Sequence, residues 1–355
     1  MDLFQKTMDQ YVIQEHGAFE PQATSSDGLK DYETRQFWKE VVYTVERCTE
    51  RPHDQVTKSP ELENDSSSDE EPTMETQLTL KQFYQLYVKR KSQEDCWDEF
   101  HAPQRSLEWL QARKYCITAS NFGAAVGHNV YESPQQLAIN KIWNSFQGNA
   151  FTHYGTYHEP DAAASLATAL RGPLFKTLQQ CFDPSIEIFD RYEVLETGLL
   201  KWHQQPWMAV SPDGILLLHG RSLVDNSTVR KSLLIEYKCP ARLRDCESHP
   251  YAKHEHNVPE YYMDQMQGIM GLFHKYPELL RTLYHCSAPQ KALFVVWQPK
   301  QMHCTLVPFQ EAYYTNSLEP SLRQWYFKQY LPLAFLKHQN LLIEGTGTSS
   351  GVLEL

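Results

Sequence analysis

Three ionisable residues lie in two strongly apolar segments of the sequence. Asp213 stands in the stretch S-P-D-G, directly before an apolar run, and Glu236 and Lys238 lie two residues apart in L-L-I-E-Y-K. Because residues i and i+2 share one face of a strand, Glu236 and Lys238 are predicted to project together. If the strand that Asp213 ends, residues 207–210, pairs with theirs, Asp213 lies beside them. Taken alone, E-x-K is also typical of a solvated charge pair, and P-D-G of a plain turn.

A third acidic residue, Glu159, is predicted near the start of an alanine-rich helix, where the helix dipole favours a carboxylate. Three carboxylates that meet at one point repel each other and need a compensating cation. Hard oxygen ligands suit Mg²⁺ or Mn²⁺, which keep several waters and bind phosphates. A lysine beside such a metal can orient or polarise an attacking water. The set therefore predicts hydrolysis of phosphodiester bonds.

Apolar periodicity and turn residues predict helices and short strands in a mixed order. The predicted helices cover residues 133–146, 158–172, 259–274 and 318–339, the last interrupted by Pro332. The predicted strands cover residues 186–196, 207–210, 214–218, 233–238, 291–298 and 303–309. Helices followed by antiparallel-looking strands, and then by helix and strand again, predict an α/β fold with a mixed central sheet.

Composition changes along the chain predict its division into segments. Residues 59–76 are acidic, polar and poor in apolar side chains, which predicts a flexible linker. The linker would separate an N-terminal helical extension, residues 1–58, from a main domain, residues 77–340. Residues 341–355 are predicted to be a flexible tail.

The chain shows no membrane span and no secretory signal, and its 8 cysteines form no C-x-x-C pair. Scattered cysteines without a signal indicate reduced thiols in an intracellular protein. The nucleus is compatible with action on DNA, although no basic cluster indicates it, and the compartment stays open.

The net charge of −11 argues at first against a nucleic-acid partner. Residues 1–100 hold 11 Lys and Arg against 22 Asp and Glu, whereas residues 101–355 hold 22 of each. The acidity thus belongs to the N-terminal part, and the remainder can carry a local basic groove.

Several segments, in their order along the chain, resemble the PD-(D/E)xK nuclease superfamily, and within it the phage lambda exonuclease or YqaJ-type viral recombinase family. They are W-L-Q-A-R-K-Y-C-I-T-A-S, G-T-Y-H-E, S-P-D-G, E-Y-K-C-P, C-P-A-R-L-R-D and Y-Y-M-D-Q-M-Q, from about Trp109 to Gln267. The resemblance implies a restriction-endonuclease-like core, a central mixed β-sheet flanked by helices, behind the N-terminal helical and acidic extension.

The resemblance also implies roles for individual residues. Asp213, Glu236 and Lys238 match the catalytic positions, with the lysine orienting or activating the water. The residues assigned to the metal are Glu159, Asp213, Glu236 and Tyr237. The residues assigned to DNA or its phosphates are Arg113, Ser120, Ser211, Arg244 and Gln265. Alone, Arg113 is also typical of a surface arginine, Ser120 of a helix start, and Gln265 of the polar side of an amphipathic helix.

The function that the resemblance implies is a Mg²⁺- or Mn²⁺-dependent deoxyribonuclease, with 5′→3′ exonuclease action on double-stranded DNA ends. Such an enzyme would serve DNA recombination, repair or viral DNA processing, with a single-strand annealing protein as partner. The alternatives are an endonuclease of the same fold and a DNA-binding module without catalysis. The N-terminal extension, a longer loop at residues 219–232 and a longer C-terminal tail leave the oligomeric state and the end specificity open.

Overall fold

The computed structural model of the chain describes residues 78–89, 97–100, 106–143, 148–180, 182, 185–241, 249–340, 343–344 and 353–354. The chain divides into two compact units: Val88–Tyr330 is one, and Leu331–Leu355 belongs with the chain up to Tyr87. The predicted helical extension and acidic linker lie outside the described residues, so the boundaries at residues 77 and 340 stay predictions. Among the described residues, no helix combines the length and apolarity that crossing a membrane requires.

A five-stranded mixed sheet organises the larger unit. Its strands are β3 (Glu187–Leu195), β6 (Gly214–Ser222), β7 (Thr228–Lys238), β8 (Lys291–Gln298) and β9 (Gln301–Pro308), in the spatial order β3-β6-β7-β8-β9. The β7–β8 pair is parallel, and the other three pairs are antiparallel. The prediction of an α/β fold with a mixed central sheet is therefore confirmed.

Shorter strands form two small sheets in the same unit. They are β1 (Trp97–Phe100), β2 (Ile117–Thr118), β4 (Leu199–Trp202) and β5 (Met208–Ala209). β1 pairs with β4, and β2 pairs in parallel with β5. The strand predicted over residues 207–210 therefore does not pair with the strand of Glu236. Asp213 instead directly precedes β6, which does pair with β7.

Helices surround the sheet. Those of the larger unit are α2 (Leu107–Arg113), α3 (Phe122–Ala125), α4 (Pro134–Trp143), α5 (Ala150–Leu170), α6 (Pro173–Gln179), α7 (Glu260–Lys275), α8 (Glu278–Tyr284), α9 (Glu311–Tyr313) and α10 (Glu319–Trp325). The smaller unit, taken by itself, contains the helices α1 (Leu80–Phe83) and α11 (Leu331–His338). Two short strands, β10 (Ile343–Glu344) and β11 (Leu353–Glu354), pair with each other.

Strand alternation gives the two faces of β7 different neighbours. Leu233, Ile235 and Tyr237 join one apolar cluster with Leu166 of α5 and Leu178 of α6. The alternating residues, which include Glu236 and Lys238, point to the other face. Because both faces of β7 are covered, its central residues are buried in an unbroken run, which explains the apolar sequence around the two charges.

Helix α7 packs on β7 and β8 and is buried on all sides from Asp264 to Phe273. Glycines allow this close packing: a Cβ at Gly268 would overlap the ring of Phe122, and one at Gly271 the ring of Tyr314. The approach of α7 to its neighbours therefore depends on the absence of side chains at these positions.

In the smaller unit, α1 begins at a capping box in which the Thr79 side chain accepts the Gln82 amide hydrogen. The rings of Phe83 and Phe335 lie 5.7 Å apart, which packs α1 on α11. The helix predicted over residues 318–339 is divided at residues 326–330, which form a π-helical turn. Pro332 follows this turn, as the second residue of α11.

Gly268→Ala is expected to destabilise the protein by about 1–3 kcal/mol, because the new methyl group must displace the Phe122 ring in a packed core. Chemical denaturation measures this free energy of unfolding. Gly155→Ala is the matched control, since its Cβ would meet only the Cys239 carbonyl oxygen at 3.7 Å. Helix propensity makes that variant as stable as the wild type or more so. Equal stability of Gly268→Ala and the wild type would show that α7 does not rely on the close approach.

Candidate active site

The antiparallel pairing of β6 with β7 brings Asp213 next to Glu236. Gly214 pairs with Ile235 where the two strands meet last. Asp213, which precedes Gly214, therefore lies level with the residues that follow Ile235 in β7. Its Oδ2 accepts the backbone N–H of Tyr237 at 2.7 Å. This hydrogen bond fixes the carboxylate across the end of β7, on the strand that carries the other two charges.

Glu236 is the most buried charged group of the site, with 1% of its side chain exposed. Its Oε1 accepts hydrogen bonds from Lys238 Nζ and, at 2.6 Å, from Gln265 Nε2. Among the residues that the structure describes, its Oε2 is buried without a hydrogen-bond partner. A buried, unpartnered carboxylate oxygen is costly unless a positive charge lies against it. This oxygen is therefore the atom of the site at which a cationic ligand would be most favourable.

Lys238 occupies the more open side of the site, with 19% of its side chain exposed. Its ammonium contacts Glu236 and lies 4.8 Å from the centre of the Tyr262 ring. Burial alone would lower the pKa of Lys238, but Glu236 and Asp213 raise it above its ordinary value. Lys238 is consequently a fixed positive charge that can donate hydrogen bonds, and not a base.

The pKa values of both carboxyl groups, Asp213 and Glu236, are raised. Burial raises the pKa of Asp213, and Lys238 and the Tyr237 amide only partly oppose the shift. Burial and the neighbouring Asp213 raise the pKa of Glu236 to about 8. Both shifts mean that one ammonium group does not compensate two buried carboxylates. A divalent cation between them would supply the missing charge.

The other residue assigned to the metal on β7, Tyr237, can contribute only through its backbone. Its ring belongs to the apolar cluster on the opposite face of the strand, and its N–H is engaged by Asp213. Gln265, assigned to the DNA, is 7% exposed and contacts Glu236 directly. The structure thus brings Asp213, Glu236, Lys238 and Gln265 into one contact group.

Glu159 lies on α5, the helix that packs on the face of β7 opposite to Glu236 and Lys238. Its helix, α5, begins at Ala150, capped by Asn149, so Glu159 lies in the third turn and the prediction that it is near the helix start is wrong. The dipole effect fades within the first turn. Gly155 faces the Cys239 carbonyl at the end of β7, and burial, followed by the charge of Glu159, raises the pKa of Cys239 to about 12.

The donor set fits a hard divalent cation in part. Asp213 and Glu236 present carboxylate oxygens together, and Mg²⁺ commonly takes one or two carboxylates and completes its shell with water and phosphate. Within the described part of the chain, no group of three or more His, Cys, Asp and Glu side chains is arranged to hold a metal ion. Glu159 as a further ligand therefore stays a prediction.

A second cluster forms around Thr118, at the start of the matched chain segment. The guanidinium of Arg113, at the end of α2, donates to Thr118 Oγ1 at 2.8 Å and stacks 3.9 Å from the centre of the Trp109 ring. Thr118 Oγ1 also lies 3.5 Å from Oγ of Ser120, which is exposed. Burial lowers the pKa of Arg113 to about 10, far above neutrality, so the guanidinium is charged.

The small β2–β5 sheet links this cluster to the carboxylates. Thr118 pairs with Ala209, and because the two strands are parallel, the segments that follow them leave the small sheet at the same edge. Ser211 follows two residues after Ala209, and Asp213 two residues later. The structure therefore places Ser211 between the cluster and the acids along the chain. Arg244, the remaining residue assigned to phosphate, lies outside the described residues.

Two residues at these contacts were not singled out from the sequence. Thr118 joins Arg113 to Ser120, and Tyr262 flanks the ammonium of Lys238. Both lie inside segments that carried the family resemblance, I-T-A-S and Y-Y-M-D-Q-M-Q. The signal that could have identified them is their position in these segments, since a lone threonine or tyrosine carries none.

The mixed sheet, covered by helices on both faces and with charges at the end of its central strand, is a nuclease-like core. Residues 108–272 match the family model of the YqaJ-like viral recombinase domain. No match to a curated protein was found for the chain. This segment is therefore similar to a YqaJ-like viral recombinase domain, as its motifs predicted, and the similarity supports a recombination-related nuclease in general. All the residues assigned to the site lie within the matched segment.

Glu236→Gln is expected to remove the thermal stabilisation that Mg²⁺ gives the wild type, because a neutral amide holds a divalent cation poorly. Without metal, the variant should melt at the same temperature as the wild type or higher, since the amide relieves the repulsion by Asp213. Thermal unfolding with Mg²⁺ and with EDTA measures both effects. Glu255→Gln, at a side chain 90% exposed, is the matched control. Equal stabilisation of Glu236→Gln and the wild type by Mg²⁺ would contradict the assignment.

Proposed function

We propose that the protein is a Mg²⁺- or Mn²⁺-dependent deoxyribonuclease that degrades double-stranded DNA from its ends in the 5′→3′ direction. The products would be nucleotides and a 3′ single strand, which a single-strand annealing protein can pair with a complementary strand. This activity suits DNA recombination, repair or viral DNA processing. The proposal refines the general class that the YqaJ-like domain defines.

The observation that carries the proposal is the buried Glu236 carboxylate with one unpartnered oxygen beside Asp213. A bound divalent cation there would activate water and stabilise the charge that develops on the phosphate. Asp213 and Glu236 would hold it, and their raised pKa values show that they lack positive charge in its absence. A structural carboxylate would instead have both oxygens satisfied.

The remaining residues of the contact group position and stabilise the reactants. Lys238, kept charged by its neighbours, donates a hydrogen bond to the attacking water or to a phosphate oxygen. Gln265 holds Oε1 of Glu236, so the carboxylate keeps its orientation while Oε2 stays directed at the ligand. The Tyr237 amide does the same for Asp213.

The cluster around Thr118 supports action at DNA ends. A charged guanidinium with an adjacent exposed hydroxyl is suited to a phosphate group, and arginine binds phosphate oxygens in pairs. Ser211 lies along the chain between this cluster and Asp213. A terminal DNA phosphate held there would set the distance between the end of the DNA strand and the phosphodiester bond that is cut.

Lys238→Ala and Glu236→Gln are each expected to lower the cleavage rate by at least about 100-fold, because each removes a group that acts in the transition state. Circular dichroism should show an unchanged fold. The assay compares end-labelled linear duplex with closed circular DNA, each with Mg²⁺ and with EDTA.

Lys253→Ala, at an exposed lysine, is the control and should cleave like the wild type. Normal turnover by both site variants would contradict the proposed site. Cleavage of closed circles as fast as linear DNA would support the endonuclease alternative, and DNA binding without cleavage the inactive binding module.

Arg113→Ala is expected to abolish a preference for duplexes that carry a 5′-phosphate over those with a 5′-hydroxyl. A charge-assisted contact of this kind contributes about 1.5–3 kcal/mol, which corresponds to a preference of roughly 10- to 100-fold. Digestion rates on matched duplexes measure it. Equal rates of the wild type on both ends would mean that Arg113 binds internal backbone phosphates.

A further inference from the structure

A buried carboxylate on α7 that the proposed function does not use pairs with an exposed histidine. Asp264 has 1% of its side chain exposed, and its Oδ2 lies 2.9 Å from Nδ1 of His128, whose side chain is 40% exposed. The other carboxylate oxygen accepts a hydrogen bond from the hydroxyl of Tyr313, at the end of α9. Both oxygens of Asp264 are thus engaged, one by a phenol and one by an imidazole that reaches the surface.

The loop that carries His128 is held against the start of α7. Helix α3 ends before Gly127, whose φ of +88° lies in the left-handed region that favours glycine. The backbone N–H of His128 then donates to the Gly123 carbonyl at 2.8 Å. A Cβ at Gly123 would overlap Cβ of Tyr261, so α3 lies directly against the first turn of α7. The exposed ring of Tyr131, farther along the loop, packs edge-on against the ring of Tyr261.

Helical spacing places this loop next to the candidate active site. Tyr261 and Asp264 are three residues apart and share the side of α7 that faces the loop. The residues that follow them, Tyr262 and Gln265, lie about 100° further around the helix axis. These two contact the lysine and the glutamate at the end of β7. His128 therefore lies beside the site, on the adjacent side of the same helix.

The negative charge of Asp264 is compensated only by a protonated imidazole. Burial raises the pKa of Asp264, the hydrogen bonds of Tyr313 and His128 oppose this shift, and Glu260 adds to it. Burial also raises the pKa of Tyr313, so its phenol is a neutral donor. In the described part of the chain, no lysine or arginine pairs with Asp264, which leaves His128 as the group that can supply positive charge.

A neutral side chain would serve equally well if the contact only tied the loop to α7. An asparagine at position 264 could bond both partners without the cost of a buried charge. A carboxylate is the better partner where His128 is protonated, because the imidazolium and the carboxylate then attract each other. A protonated ring that binds Asp264 through Nδ1 has its Nε2 hydrogen left to donate to a second anion.

We propose that His128 is a cationic contact for the DNA backbone beside the active site, and that the buried Asp264 carboxylate is the positioning residue that holds it there. The inference rests on the proposed function, because it adds a residue that contacts the same substrate. Each phosphodiester carries one negative charge, which one imidazolium balances. DNA that reaches Lys238 past Tyr262 would cross the adjacent side of α7, where His128 is exposed.

The test measures the affinity for a DNA duplex by fluorescence anisotropy in EDTA, so that no hydrolysis occurs, at about pH 5.5 and about pH 8.5, between which histidine changes charge. His128→Asn places an amide near the position of Nδ1, so the hydrogen bond to Asp264 is kept while Nε2 and the charge are lost. At the lower pH this variant should bind roughly 10-fold more weakly than the wild type. At the higher pH the two should bind equally, since a neutral ring that donates Nδ1–H to Asp264 has only a lone pair at Nε2.

The salt dependence and two further variants distinguish a DNA contact from a structural role. At the lower pH, the plot of log affinity against log salt concentration should be shallower for His128→Asn by about 0.9, the value for one lost phosphate contact. Asp264→Asn should weaken the pH dependence of DNA binding. His128→Lys, which is charged at both pH values, should bind DNA more tightly than His128→Asn at both.

His285→Asn is the matched control, at an exposed histidine whose φ of 51° asparagine also tolerates. The neighbouring Tyr284 carbonyl accepts a hydrogen bond from Arg230, near the start of β7, whereas the site lies at the end of that strand. This variant should bind DNA like the wild type at both pH values. Thermal unfolding without DNA should give the same melting temperature for His128→Asn and the wild type.

Equal affinity of His128→Asn and the wild type at the lower pH would overturn the inference. A loss of the same size at both pH values would also overturn it, because it would reflect a disturbed loop and not a missing charge, as would His128→Lys binding no better than His128→Asn. The proposed function fails separately: a wild type whose DNA affinity depends on His128 but that cleaves no DNA with Mg²⁺ contradicts the nuclease activity alone. Cleavage by the wild type, with unchanged affinity of His128→Asn, contradicts the role of His128 alone.

Discussion

The burial of the Glu236 carboxylate is the constraint on which the rest of the site depends. A charge at 1% exposure in a central strand costs several kcal/mol unless the protein surrounds it with donors and positive charge. The described part of the chain provides an ammonium and an amide for one oxygen and no hydrogen-bond partner for the other. Asp213, held by a backbone amide, adds a second negative charge to the same place. Such an arrangement is unfavourable in the free protein, and a divalent cation at the proposed site would offset its cost.

Every layer of the fold contributes to holding this arrangement. Strand alternation in β7 sends Glu236 and Lys238 to the face of α7 and their neighbours to the apolar cluster beneath α5. Glycines let α7 pack closely against the rings of Phe122 and Tyr314, and the same helix carries Gln265, which donates to the carboxylate. The small parallel sheet pairs Thr118 with Ala209, four residues before Asp213. The proposed metal ligands and the proposed phosphate-binding residues therefore lie on different elements of the fold.

The sequence predicted what depends on short-range periodicity and failed where long-range pairing decides. The common face of Glu236 and Lys238 follows from their spacing, and the mixed sheet and the family follow from the order of the motifs. The start of α5 at Ala150 was missed because residues 150–157 lack the alanine-rich pattern of the later turns, although Asn149 caps them. The pairing partner of the strand at residues 207–210 was wrong because strands of two residues have no detectable period.

The most direct test of this account is a crystal structure of the protein with Mn²⁺, in which anomalous scattering locates the metal without assumptions. The account predicts a peak within roughly 2.0–2.3 Å of Glu236 Oε2 and of an Asp213 carboxylate oxygen, with waters completing the shell. Lys238 and Gln265 should remain beside Glu236. A fully occupied Mn²⁺ elsewhere, with Glu236 Oε2 hydrogen-bonded to a protein group, would contradict the claim that this carboxylate is buried to hold a metal.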